Sequence, residues 1–434
     1  MAEKLSKRLL IHSATQIVQI IDNQNEFLTG DCMKTAKILN ETENSGCCLI
    51  VGLDGNIEDI GYNKDILNKY EKSNFEKIID ASGKSIIPGF IDAHTHAVWS
   101  GDRVHEFVLK LAGASYMEVH NAGGGINFTV DHVRKATEDE LLSSLRDYLR
   151  KMMECGTTTV EIKSGYGLDL ENEIKMLKVI EKARKLVPID IVSTYCGAHS
   201  IPKGKTADEA VEDIISNQIP QIDKLIRDNI LNVKNIDVFC EKGVFNVEQT
   251  RRMLNAGKSI GLQINFHGEE LSLLESASMG ADLGARAISH LEEISEQGIE
   301  KMAEKSTAAV LLPTTAYTLR LKRPPARKMI KAGIPLALGS DFNPNAHCFS
   351  MPMVMNLACV LFEMSMNEAL VASTLNAAYS LGLSKTHGSL QTGKFADLII
   401  LDAPRWEHLI YQLGSHSYLI EAVIKKGEVI YNKA

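Results

Sequence analysis

Disulfide chemistry has little foothold in this 434-residue chain. Its eight cysteines are scattered, only Cys47 and Cys48 are adjacent, and no Cys-x-x-C occurs. The pattern argues against a disulfide framework and suits a reducing compartment. Long basic runs are missing too: 47 Lys and Arg face 55 Asp and Glu, for a formal net charge of −8. Nucleic acid is therefore not an expected partner. No apolar run approaches the roughly 18 residues of a membrane span, and MAEKLSKRLLIHS (1–13) lacks the apolar stretch of a signal peptide. A cytoplasmic protein without a membrane partner is expected. What is there is an ordinary globular composition, 44% hydrophobic and 24% charged, long enough for a sizeable core.

Residues 8–80 read as short strands. RLLIHSATQIVQI (8–20) reads as one, and CCLIVGLDGNIEDIGY (47–62) as two across an Asp-Gly-Asn turn. The last 45 residues have the same texture, in KFADLIILD and EAVIKKGEVIYN. Neither end holds enough strands to close a sheet alone. Residues 1–85 and 386–434 are therefore expected to form one composite β-sandwich domain. Between them, over 86–385, apolar strands alternate with stretches of 3.6-residue periodicity such as ENEIKMLKVIEKARKLV (171–187). The strands are SIIPGFIDAHTH, TTTVEIKSGY, DIVSTYCGAHS, NIDVFCEKG, GLQINFHGEE, ARAISHLEE, AAVLLPTTAY and PLALGSD. Eight such units predict an α/β fold, a (β/α)8 barrel of the TIM type, with a doubly wound open sheet as the competing architecture.

Each strand ends in polar residues, and in such a barrel those ends meet at the catalytic face. They are His94 and His96 on the first strand, Tyr166 on the second, His199 on the third and Glu241 on the fourth. His267 and Glu270 follow on the fifth, His290 on the sixth, Thr314 and Thr315 on the seventh and Asp341 on the eighth. Alternation along a strand turns His94 and His96 to the same side. With 13 histidines in the chain the pair means little alone. Joined by His267 and Asp341, it becomes three imidazoles and a carboxylate, a set that suits Zn²⁺ or Fe²⁺ and leaves room for a water.

PGFIDAHTH, the histidines of strands five and six, and GSD on strand eight together resemble the amidohydrolase superfamily. DAHTHAVWSGDRVHEF, NAGGGI, EIKSGYGL, GAHSIP, DVFCEKGVF, INFHGEE, ISHLEE, LLPTTAY and SDFNP narrow the resemblance to the imidazolonepropionase family within it, over nearly the whole chain. That resemblance implies one zinc or iron ion per subunit, held by His94, His96, His267 and Asp341. It implies substrate contacts from Arg103, Tyr166, His199, Glu270 and Asn343, and a homodimer. The implied reaction opens the ring amide of 4-imidazolone-5-propanoate, a small anionic ring, to give N-formimino-L-glutamate in histidine catabolism. The chain departs from the bacterial pattern at Asn345-Ala346, which puts a hydroxyl contact at position 346 in doubt.

The residues suit that chemistry. A metal lowers the pKa of its water to near neutrality. Asp341 can take the proton, His290 can polarise the attacked oxygen, and Glu270 can pass a proton to the leaving nitrogen. Arg103 offers a fork for a carboxylate. Competing roles exist. Arg103 lies between Asp102 and Glu106, where it can serve a structural ion pair. Lys163 suggests a carbamylated bridging lysine, but it follows the second strand, not the fourth where Glu241-Lys242 stands, so one metal is expected. NAGGGI (121–126) lacks a phosphate loop's ending and reads as a lid. His105, His120 and His347 read as loop residues. A deaminase or another cyclic-amide hydrolase of the superfamily is the alternative function. A neutral nucleobase would have no use for Arg103. A non-catalytic scaffold on this fold would be expected to have lost ligands.

Overall fold

The computed structural model describes residues 7–43, 45–71, 74–113 and 124–433. The N-terminal part supplies β1 (Lys7–Ala14), β2 (Gln16–Ile20), β3 (Lys37–Asn40), β4 (Cys47–Gly52), β5 (Ile57–Tyr62), β6 (Phe75–Asp80) and β7 (Ser85–Pro88). The middle supplies β8 (Phe90–Asp92), β9 (Thr157–Lys163), β10 (Asp190–Ala198), β11 (Val233–Cys240), β12 (Gln263–Gly268), β13 (Ala287–His290), β14 (Ala308–Leu311) and β15 (Leu336–Leu338). The chain closes with β16 (Leu398–Leu401), β17 (Ile420–Lys425) and β18 (Glu428–Asn432).

The eight middle strands form one parallel sheet in sequential order, β8 to β15. Every residue of β9, β13 and β14 is buried, as strands covered on both faces must be. The sheet curls until its edges meet. The Asp341 N–H bonds His94 O at 2.9 Å and the His96 N–H bonds Phe342 O at 2.9 Å. Below them the Asp92 carboxylate accepts the Ser340 N–H (2.8 Å) and hydroxyl (2.5 Å). The seam that closes the barrel therefore runs beside His94, His96 and Asp341. Helices form the outer layer. Glu138–Glu154, for instance, starts at a Thr137–Glu140 capping box and turns Leu141, Leu145, Leu149 and Met152 inward. The periodic stretch 171–187 is the helix Leu170–Arg184. Among the described residues no helix is long and apolar enough to cross a membrane.

The accessory sheets correct the expectation in three places. RLLIHSATQIVQI is two strands: β1 and β2 lie in different sheets, and the chain changes sheet at Ser13, whose φ of 60° breaks the extended run. The N-terminal end also builds a sheet by itself, in the order β5-β4-β1-β6. Only the second sheet, β18-β17-β16-β7-β2-β3, combines both ends. Leu9, Ile11, Leu49 and Val51 pack with Ile86, Leu398, Ile400 and Ile424 between the two sheets. Third, the expected change from accessory part to barrel at Ile86 falls inside β7, which pairs with β16. The barrel starts at Phe90, after Gly89, where an added Cβ would lie 2.3 Å from the Thr158 methyl.

Candidate active site

Most of the polar strand ends converge on a cavity of about 380 Å³, walled by His96, Arg103, Tyr166, His199, Glu270 and Asn343 among others; Glu241 and Thr314 do not line it. At its floor His94, His96, His267 and Asp341 come together. His96 Nε2 lies 3.2 Å from His267 Nε2. Asp341 Oδ1 lies 3.4 Å from His94 Nε2 and 3.7 Å from His96 Nε2. The far side of three of these groups is tied down. His94 Nδ1 meets Ser289 Oγ at 2.8 Å, His267 Nδ1 donates to Asp237 Oδ1 at 2.7 Å, and the Thr315 hydroxyl donates to Asp341 Oδ2 at 2.5 Å. The inward atoms His94 Nε2 and Asp341 Oδ1, though buried, have no hydrogen-bond partner among the described residues. Buried polar atoms without partners are costly. Imidazole nitrogens facing one another and a carboxylate oxygen are what a cation satisfies. Burial pushes the pKa of His94 and His96 well down, which keeps them in the neutral form that ligates. The donor set fits a metal.

Backbone strain collects here. Glu269, His290, Leu291 and Asp341 all have positive φ, between 48° and 77°, a conformation that non-glycine residues keep only where the surroundings impose it. Gly339 lets β15 approach: an added Cβ would lie 2.8 Å from His94 Cβ.

Around the floor, His199 stacks on His96, with ring centroids 4.5 Å apart. Its Nδ1 donates to Gly165 O at 3.0 Å, so Nε2 is its free nitrogen. Burial pushes its pKa to about 3. Tyr166 sits 5.9 Å from the His96 ring and 5.2 Å from that of His199, and burial keeps its phenol neutral. His290 Nε2 is 3.6 Å from Glu270 Oε2. Burial, with Asp341 and Glu241 nearby, pushes the Glu270 carboxyl well up, and burial drives His290 down. Glu270 and not Glu269 lines the cavity; Glu269 turns toward Ser276 and Ala277.

Two residues reach the cavity already engaged. Arg103 grips Glu106 with Nε (2.9 Å) and Nη2 (2.7 Å), so the ion pair and the cavity position coexist. Burial raises the Glu106 carboxyl, but Arg103 outweighs it and the net pKa lies below the usual value. Asn343 donates to Asp341 O at 2.6 Å and accepts the N–H groups of Asn345 and Ala346, shaping the loop after the aspartate. Lys110, not foreseen from sequence, lines the same cavity and bonds Asn345. Burial and Arg103 push its pKa to about 8. Its signal was available: it stands seven residues after Arg103, two turns along one helix. Of the histidines read as loop residues, His347 is in a loop, whereas His105 belongs to the helix Val104–Leu111. His120 and the first three residues of the expected lid, 121–123, lie outside the described residues. Gly125, in the stretch expected to be a lid, donates its N–H to Glu106 at 2.9 Å.

A sequence model of the amidohydrolase family matches residues 85–430. The chain belongs to the amidohydrolase family. Within that family it is 59% identical to a human protein named probable imidazolonepropionase, over 98% of both chains. It is 58% identical to one of the same name from Nematostella vectensis, over 98% of this chain and all of the relative. Among solved structures, E. coli guanine deaminase superposes with a TM-score of 0.69 at 15% identity, covering 98% of this chain and all of that one. A. niger ochratoxinase gives 0.70 at 16%, covering 99% and 97%. These two share the amidohydrolase fold. The family is metal-dependent, and His94, His96 and Asp341 lie close enough together to hold an ion.

Proposed function

We propose that the chain hydrolyses the ring amide of 4-imidazolone-5-propanoate to N-formimino-L-glutamate, with one zinc or iron ion held by His94, His96, His267 and Asp341. The observation that carries this reading is one cavity with four convergent ligand groups at its floor and two cations, Arg103 and Lys110, on its wall. The relatives named for this reaction support the substrate.

A divalent ion in this donor set supplies a water acidified toward neutrality and so a nucleophile. The protein's own groups do the rest. Thr315 holds Asp341 Oδ2, which leaves Oδ1 turned inward to take the water's proton. The water oxygen bonds the ring carbonyl carbon, and the ring C–N bond breaks. His290 Nε2, at the cavity, donates to the carbonyl oxygen as charge gathers there. Burial keeps the Glu270 carboxyl protonated, ready to protonate the departing ring nitrogen. Tyr166 and His199, both neutral and packed on His96, orient the ring. Arg103 and Lys110 meet the propanoate carboxylate, the bidentate guanidinium setting its direction.

The test is direct. Freshly made 4-imidazolone-5-propanoate is mixed with the purified protein, and ring loss and N-formimino-glutamate are followed against spontaneous decay. Conversion that a chelator stops and zinc or iron restores is expected. A folded, metal-loaded protein that converts none would overturn the reading.

A further inference from the structure

Behind the cavity floor lies a buried charge cluster that the proposed reaction leaves unused. Lys163 on β9 is 2% exposed, yet it carries an ammonium. Its Nζ sits 2.8 Å from Glu161 Oε1 and 3.1 Å from Asp237 Oδ2, so it joins β9 to β11 across β10. Both carboxylates are buried; Asp237 reaches onward to the proposed ligand His267, and Glu161 to Thr95, the residue between two others. Asp237 Oδ1 accepts the His267 Nδ1–H at 2.7 Å and the His267 backbone N–H at 3.1 Å. Glu161 Oε2 accepts the backbone N–H of Thr95 at 3.1 Å, and the Thr95 hydroxyl donates to Glu161 O at 2.7 Å. The Thr95 carbonyl accepts the Lys163 N–H at 3.1 Å. Thr95 stands between His94 and His96, so clamping its backbone fixes where both histidines begin.

From these contacts we infer that Glu161, Lys163 and Asp237 are positioning residues, one buried ionic bridge that sets the ligand atoms of β8 and β12 for the metal. The inference rests on the metal site proposed above. The bridge acts in two ways. Asp237 holds the His267 proton on Nδ1, so Nε2 presents its lone pair inward, and a carboxylate behind an imidazole strengthens it as a ligand. The bridge also sums to one negative charge. Together with Asp341 it sets two negative charges against a dication in a dry site. Burial works against the Lys163 ammonium, but Glu161 and Asp237 outweigh it and raise its pKa. Engaged on both sides, this lysine is a counter-charge and not a site of carbamylation.

Metal affinity of the metal-free full-length protein tests the bridge, read by zinc competition with a chromophoric chelator and by the visible spectrum of bound Co²⁺. Circular dichroism shows which variants fold. Asp237→Ala is expected to weaken zinc about 10- to 100-fold and to change the Co²⁺ bands. Asp237→Asn keeps an acceptor for Nδ1 and is expected to fall between the two. Glu161→Gln, which removes one carboxylate of the bridge but leaves the Asp237–His267 contact in place, is expected to weaken zinc less than Asp237→Ala. A folded Asp237→Ala that binds zinc within twofold of wild type, with unchanged Co²⁺ bands, would overturn the inference. If Asp237→Ala does not fold, the near-isosteric Asp237→Asn decides by the same criterion. A wild-type protein that binds no zinc, iron or cobalt would instead overturn the metal site itself.

Discussion

Among the described residues, two of the clusters that bring histidine and carboxylate within reach of a single ion behave differently. One is the cavity floor, with His94, His96 and Asp341. The other lies where barrel and accessory sheet meet, with Asp190 at the start of β10, His387, and Asp397 just before β16. In the second, a protein cation already occupies the focus. Lys425 Nζ lies 2.7 Å from Asp190 Oδ2 and 2.6 Å from Asp397 Oδ2, and His387 Nε2 meets Asp190 Oδ2 at 2.9 Å. Behind the cavity floor the Lys163 ammonium is engaged by Glu161 and Asp237. Closeness of donors therefore does not define a metal site. The groups must also be tied from behind and left without a protein counter-ion in front. By that criterion the first cluster is built to receive an ion, and the second is an ionic knot between two parts of the fold.

The contrast predicts its own largest effect. Asp341→Asn leaves the fold intact by circular dichroism and lowers kcat by on the order of 10³-fold or more, because it removes both a ligand charge and the proton acceptor. Full activity in that variant would dissolve the distinction between the clusters. Next in size, Arg103→Met lowers kcat/KM for the anionic substrate by roughly 10²-fold, the loss of one charge-assisted pair. It also strands the buried Glu106, so stability falls with it. Adding Glu106→Gln restores the melting temperature but not kcat/KM. Wild-type kinetics in Arg103→Met would end the case for an anionic substrate.

Much of the candidate site was legible because its carriers are odd residues in apolar surroundings. His94 and His96 stand two residues apart just past β8, His267 and His290 lie at the ends of β12 and β13, and Asp341 follows β15. Glu161, Lys163 and Asp237 were equally odd, as charges inside TTTVEIK and NIDVFC. Which charge would meet which depends on β9 and β11 flanking β10, and spacing along the chain does not encode that. The barrel was readable from its eight buried runs. Its first boundary was not, since SIIPGFID stays apolar while a single glycine passes the chain from the accessory sheet to β8. The division of RLLIHSATQIVQI hid for a related reason: one left-handed serine turns the backbone without altering the alternation. Arg103 between Asp102 and Glu106 admitted an ion pair in sequence, but the choice of Glu106 as its partner needed the structure. Lys110 stands two turns along the same helix, so its spacing from Arg103 carried a signal too.

The knot sharpens the comparison through stability in place of chemistry. Lys425→Met leaves Asp397 buried beside Asp190 without its cation, and is expected to cost roughly 3 kcal/mol, read as a lower denaturant midpoint. Its kcat/KM and zinc affinity should stay at wild-type values. A loss of zinc binding would show that the second cluster also feeds the metal site.

The smallest effect concerns pH. Burial raises the Asp190 carboxyl, but the hydrogen bond from His387 and the Lys425 ammonium outweigh it, and the folded pKa falls well below the ordinary 3.8. An acid whose pKa drops on folding contributes stability above its unfolded pKa and loses it as pH falls through the folded value. Asp190→Asn removes that contribution. The gap in melting temperature between wild type and Asp190→Asn is therefore expected to be widest above about pH 5 and to narrow as the pH drops below about 4. Asp190 is partly exposed, so solvent screening keeps the gap to a few degrees at most. A gap that stayed constant from pH 7 to pH 3 would mean that Asp190 acts there through shape alone. The knot would then be a packing contact that happens to be charged, and its difference from the cavity floor would lie in chemistry rather than in the placement of a cation.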